Sequence, residues 1–183
     1  MRLFGKKKSS KDWFNEANSH YDHGNWNEAI LCYDKVIKNK NEPIQNMITS
    51  GNNIGKCFLK LGNYDFALNH FNLVIETDPS FSDAHFHKGV VFEKLGDYEN
   101  AIECYNKGIE INPQDTDLWY NKGLDLFHLE KNEEAEQCFN KVLEITPNSL
   151  DALVGKANAL GQLGKIEEAE QCIDKARELG YTQ

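Results

Sequence analysis

Four alanines, Ala67, Ala101, Ala135 and Ala169, stand 34 residues apart, and Pro79, Pro113 and Pro147 keep the same interval. A fixed period of this length constrains the chain more than any local pattern, because each period must be one supersecondary unit stacked on the next. The unit is clearest over residues 82–115. His85, Gly89, Phe92 and Leu95 fall on one helical face, and Gly96 follows where a helix ends most easily. Tyr98, Ala101, Ile102, Tyr105 and Ile109 then form a second apolar stripe that Pro113 closes. Each period is therefore expected to be a helix, a short turn and a second helix. Gly89 and Ala101 leave room for the two helices to pack closely. Tyr105 and Gly108 turn toward the next hairpin, so a single unit cannot bury its own apolar surface.

Residues 48–81, 116–149 and 150–183 repeat the pattern, with Glu130 in place of the turn glycine in the fourth unit. A first unit over about 10–43 supplies Trp13, Ala17, Gly24, Trp26, Ala29, Tyr33 and Val36. From Ala29 to Ala67 the interval widens to 38, an insertion of four residues, about one helical turn. The insertion is expected within Lys38–Met47, as a longer connection or an extended helix end. The expected organisation is a basic flexible tail over residues 1–9 and one continuous array over 10–183.

The recurring order of aromatic residue, Gly, Leu-Gly-x-Tyr, Ala, aromatic residue, Ala and Pro resembles the tetratricopeptide repeat family over five consecutive units. The resemblance implies an all-α fold, an α-solenoid in which five helix-turn-helix units wind into a right-handed superhelix. It also implies that the first helices line a concave groove. By the same resemblance the chain is expected to be a protein–protein interaction scaffold that binds an extended peptide or a helix of a partner protein.

On the family's geometry the groove is expected to carry Asn15, Asn18, Asn53, Lys56, Phe86, His87, Tyr120, Asn121, Leu124 and Phe127, with Tyr21, Asp22 and Asn52 among its further members. Asn15, Asn53, His87 and Asn121 occupy equivalent places in successive units. A row of amides offers donors and acceptors to the backbone of an extended chain, whatever its side chains. The alternative is that these asparagines are simply well-solvated residues common in such repeats. Phe86, Tyr120, Leu124 and Phe127 add apolar area suited to anchoring. Some members of the family grip acidic C-terminal tails through a clamp of lysines, asparagines and an arginine. Asn18 and Asn53 match its asparagines, but Phe14, Asp83 and His87 stand where cations belong, so that ligand is not expected. Asp83, Asp117 and Asp151 read as helix-start carboxylates.

Charge narrows the partners. The chain carries a net −9, yet its first eleven residues hold five bases and no acid. Without them 15 bases face 29 acids, a count of −14, which is the wrong sign for a nucleic-acid partner. No apolar run approaches the roughly 18 residues of a membrane span. The five cysteines include no CxxC; Cys32, Cys104, Cys138 and Cys172 recur at one place of the repeat and read as small apolar residues in a reducing compartment. A cytoplasmic chain is expected. His85/His87 and His20/His23 lack the i, i+4 spacing of paired helical ligands, so neither pair is expected to hold a metal. No phosphate-binding glycine loop or nucleophile elbow is present in the sequence. No enzyme activity and no cofactor are expected. The alternative to groove binding is structural assembly. It would proceed by self-association through the apolar strip of the last repeat (Leu153, Leu160, Ile173, Ala176), or by membrane-surface recruitment through the basic tail.

Overall fold

The structure, a computed structural model, describes residues 8–182, and among these it contains ten α-helices and no strand. They are α1 (Ser10–Asp22), α2 (Trp26–Ile37), α3 (Ile44–Lys60), α4 (Tyr64–Thr77), α5 (Ser82–Lys94), α6 (Tyr98–Ile111), α7 (Thr116–His128), α8 (Asn132–Ile145), α9 (Leu150–Gln162) and α10 (Ile166–Glu178). Two compact units result, one ending at Val91 and the other beginning at Phe92. Most of the expected basic tail, through Lys7, lies outside the described residues.

Local chemistry sets the helix ends. Ser9 and Asp12 form a reciprocal capping box at the start of α1: the Ser9 hydroxyl accepts from the Asp12 amide at 3.2 Å, and the Asp12 carboxylate accepts from the Ser9 amide at 2.8 Å. Asp97, Asp115 and Ser149 cap α6, α7 and α9 with their side chains. At the turns within the hairpins, Gly24, Gly62, Gly96 and Gly164 take φ of 75°, 73°, 76° and 74°, a left-handed conformation that glycine adopts without strain. Glu130 holds the equivalent place with φ 59°, at a cost of roughly 1–2 kcal/mol for a side-chain-bearing residue.

In unit one, α1 packs on α2, α2 on α3, and α3 on α4. Ala17 and Ala29 are fully buried on facing helices. A methyl group placed on Gly55 of α3 would lie 2.6 Å from the Phe71 ring of α4, so this crossing admits only glycine. The four inserted residues become helix: α3 has 17 residues where α1 has 13, one extra turn at its start. In unit two, α6 packs on α7, α7 on α8, α8 on α9 and α9 on α10. Here Phe139 of α8 is fully buried, and its ring fills the space left by Gly123 of α7 and Gly155 of α9. Gly108 of α6 meets Leu118 of the following hairpin in the same way. Thus in unit two Leu118 and Phe139 each reach into a gap left by a glycine of the neighbouring hairpin.

All five cysteines are free, and only Cys172 is not buried. Burial pushes the Cys57 thiol up to about 12, with Lys56 opposing, and the Cys138 thiol up to about 11, with Lys122 opposing. No helix among the described residues is long and apolar enough to cross a membrane.

Candidate functional site

In unit one the first helices bring several expected residues together and separate others. Asn18, Tyr21 and Asp22 at the end of α1, Asn53 and Lys56 of α3, and Tyr33 of α2 surround an open hollow of about 300 Å³. Its centre is a phenol. The Tyr33 hydroxyl donates to Asn18 Oδ1 at 2.5 Å, and the neighbouring Asn53 side chain works against the upward push that burial gives this phenol. Burial pushes the phenols of Tyr33 and Tyr21 up, so both remain neutral hydrogen-bonding groups over the ordinary pH range. Lys56 lies 5.9 Å from the centre of the Tyr21 ring, and with the exposed Asp22 it puts one charge of each sign on the lining of the hollow.

Asn15 does not join this group. It is exposed and lines a second hollow of about 330 Å³ with Lys11, Phe14, Val36, Glu42, Asn46 and Thr49. The extra turn of α3 contributes Asn46, so the insertion helps to form this second depression.

The neighbouring Asn52 is turned inward. It is 1% exposed and donates to Asp83 Oδ2 at 2.6 Å, which removes it from the surface. His87 is half-buried; its Nε2 lies 3.3 Å from Asp83 Oδ1 and its ring stacks on Phe71 at 5.8 Å. Burial alone would raise the Asp83 carboxyl, but His87, Lys56 and Asn52 together hold it below the ordinary carboxylate value. Asp83, itself exposed, is therefore the carboxylate that Asn52 and His87 share. Phe86, also half-buried, meets the His87 ring edge-on at 5.0 Å.

Unit two presents a different surface. Tyr120, Leu124 and Phe127 lie three or four residues apart on α7, half-buried against the core of Leu126, Ala135, Cys138, Phe139 and Ala159. Tyr120 stands 5.9 Å from the Phe139 ring, and burial, then the nearby Asp151, raises its phenol. Asn121 donates its side-chain amide to the Asp117 carbonyl of its own helix at 2.7 Å, which commits one of its two donor hydrogens. Unit one thus offers a polar hollow and unit two an apolar stripe. Tyr33 is the member that the periodicity alone did not single out, since it reads there as an ordinary core aromatic.

Comparison with known proteins places these hairpins. Models of the tetratricopeptide repeat match residues 10–42, 52–81, 82–115, 116–149 and 138–171. A TPR repeat-containing protein of Methanocaldococcus jannaschii is 32% identical over 91 residues; the match takes in 49% of this chain and 15% of the archaeal protein. Among solved structures, a MamA protein superposes with a TM-score of 0.78 at 21% identity, over 92% of this chain and 90% of its own. MamA from residue 41 to its end, from Desulfovibrio magneticus RS-1, gives 0.80 at 19% identity, over 96% and 97%. These likenesses establish the fold, an all-α solenoid of helical hairpins.

Proposed function

Because the chain belongs to the tetratricopeptide repeat family, we propose that it is a protein-interaction scaffold whose first helices receive an extended segment of a partner protein. The observation that carries this reading is the gathering of Asn18, Asn53, Lys56 and Asp22 in one open polar hollow around Tyr33, whose hydroxyl donates to Asn18. Asn18 keeps both donor hydrogens of its amide, and Asn53, lining the same hollow, adds an amide with donors and an acceptor. That arrangement suits the peptide backbone, which needs both. Lys56 and Asp22 at the rim add a preference for partner side chains of either charge. In unit two, Tyr120, Leu124 and Phe127 supply anchoring area for apolar side chains, of the kind that dominates interface energetics. No catalytic role is part of this reading.

A second reading is self-association through the last hairpin. The expected strip is not open, since Leu153, Leu160 and Ala176 are buried. The support comes instead from α10, where Ile166 is 56% exposed beside a shallow depression shared with Ala157, Ala169 and Ile173. The two readings separate cleanly. Peptides selected from a random library on the full chain should bind the Asn18→Ala, Asn53→Ala double variant at least about tenfold more weakly, the equivalent of one or two hydrogen bonds. The oligomeric state should not change. Asn148→Ala, at an exposed connecting position, should bind as the wild type does. Undiminished binding by the double variant would remove the proposal, and lost binding together with a changed oligomeric state would favour the second reading.

A further inference from the structure

Glu16 and His20 are four residues apart on α1 and therefore share a helix face. Cys32 of α2 is 7% exposed and faces them across the first hairpin. One ligand atom from each of the three lies within 4.8 Å of the other two. Around a tetrahedral zinc ion, ligand atoms at bond lengths of about 2.0–2.3 Å stand roughly 3.3–3.5 Å apart, so the trio needs to contract by about 1 Å or a little more. The glutamate can supply much of that movement, since it has three side-chain torsions and two carboxylate oxygens to choose from.

The other repeats show that this trio is not a by-product of the fold. The places of Glu16, His20 and Cys32 are filled by Ile54, Phe58 and His70 in the second repeat. They are filled by Lys88, Phe92 and Cys104 in the third, Lys122, Leu126 and Cys138 in the fourth, and Lys156, Leu160 and Cys172 in the fifth. The repeat thus needs an apolar side chain where His20 stands, and three repeats set a lysine beside the cysteine. Only the first hairpin replaces that lysine with a carboxylate and the apolar residue with an imidazole. Both replacements exchange a group that repels or ignores a cation for one that binds it.

We propose that Glu16, His20 and Cys32 form a binding site for a divalent transition-metal ion of the zinc class, clamping α1 to α2. The donor set of thiolate, imidazole and carboxylate suits zinc or cobalt and excludes magnesium and calcium, which take oxygen ligands. Three protein ligands leave the fourth tetrahedral position to water. The Lys8 ammonium now pairs with the Glu16 carboxylate, and a bound dication takes its place. Lys8 is about half exposed, so it can leave without uncovering buried charge.

The test is a titration of the chelator-treated full chain with Co²⁺ in the absence of other metals. One Co²⁺ per chain should bind, with a thiolate-to-cobalt charge-transfer band in the near ultraviolet that Zn²⁺ then abolishes. Cys32→Ser should remove the band, and His20→Ala and Glu16→Gln should each weaken binding by about tenfold or more. Cys172→Ser should leave it unchanged. Neither His20 nor Glu16 is buried, so those two variants keep the test informative should Cys32→Ser fold poorly. Absence of a saturable band, its survival in Cys32→Ser, or wild-type affinity in His20→Ala would overturn the proposal.

Discussion

Replacing Asp125 with valine should stabilise the protein above pH 7 by on the order of 4 kcal/mol, from the displaced titration of this one carboxyl. Asp125 of α7 is 0% exposed, and neither of its carboxylate oxygens has a hydrogen-bond partner. Burial, with a further push from Glu93, raises its carboxyl from 3.8 to about 7, while Lys94 pulls the other way. Between those two values the folded chain holds a proton that the unfolded chain has released. The stability it contributes is whole below about 4 and is lost as pH rises through about 7. Valine removes the penalty with an apolar side chain, and Val91 already fills the same place in the preceding repeat. Urea unfolding of both proteins from pH 4 to pH 8 reads the effect directly. The advantage of Asp125→Val should be small near pH 4 and grow until it levels off above pH 7. A difference that is flat with pH would show that Asp125 does not titrate between the folded and unfolded states.

Phe139→Ala should have the largest effect in the opposite direction, a loss of about 3–5 kcal/mol. The ring is fully buried and serves two interfaces at once, since it occupies the space left by Gly123 on one side and Gly155 on the other. Neither glycine has a side chain that could move into the void, so the cavity cannot collapse locally. The thermal midpoint should fall by on the order of 10 °C, measured by far-ultraviolet circular dichroism. A fall of less than about 1 kcal/mol would mean that the hairpins of unit two do not depend on one another through this ring.

The periodicity makes most of the helical architecture legible in the sequence. The alanine spacing placed the hairpins, the turn glycines marked their tips, and Glu130 stood out as the one departure, where the chain indeed carries a strained residue. The sites were less legible, for identifiable reasons. Asn52 and Asn53 are adjacent and equally polar, yet the rotation of α3 sends one into a bond with Asp83 and the other toward the hollow. Periodicity assigns a face to about a third of a turn, which is too coarse to separate neighbours. Tyr33 belongs to the core by its ring and to the hollow by its hydroxyl, a division that a sequence position cannot express. The chemistry of Glu16, His20 and Cys32 escaped because two of the three share a helix and the third comes from the next one. Spacing along a single helix detects only pairs. Asp125 is visible in principle: aligned on the period, its place is taken by Ser19, Cys57, Val91 and Ala159, all small and none charged.

What most directly tests the binding surface is nuclear magnetic resonance of the side-chain amides with and without a selected peptide. Asn18 and Asn53 should shift strongly and be protected from solvent exchange in the complex, while Asn27 of α2 and Asn148 stay as they were. Shifts confined to Asn27 or Asn148, with Asn18 and Asn53 unmoved, would contradict a partner lying along the first helices.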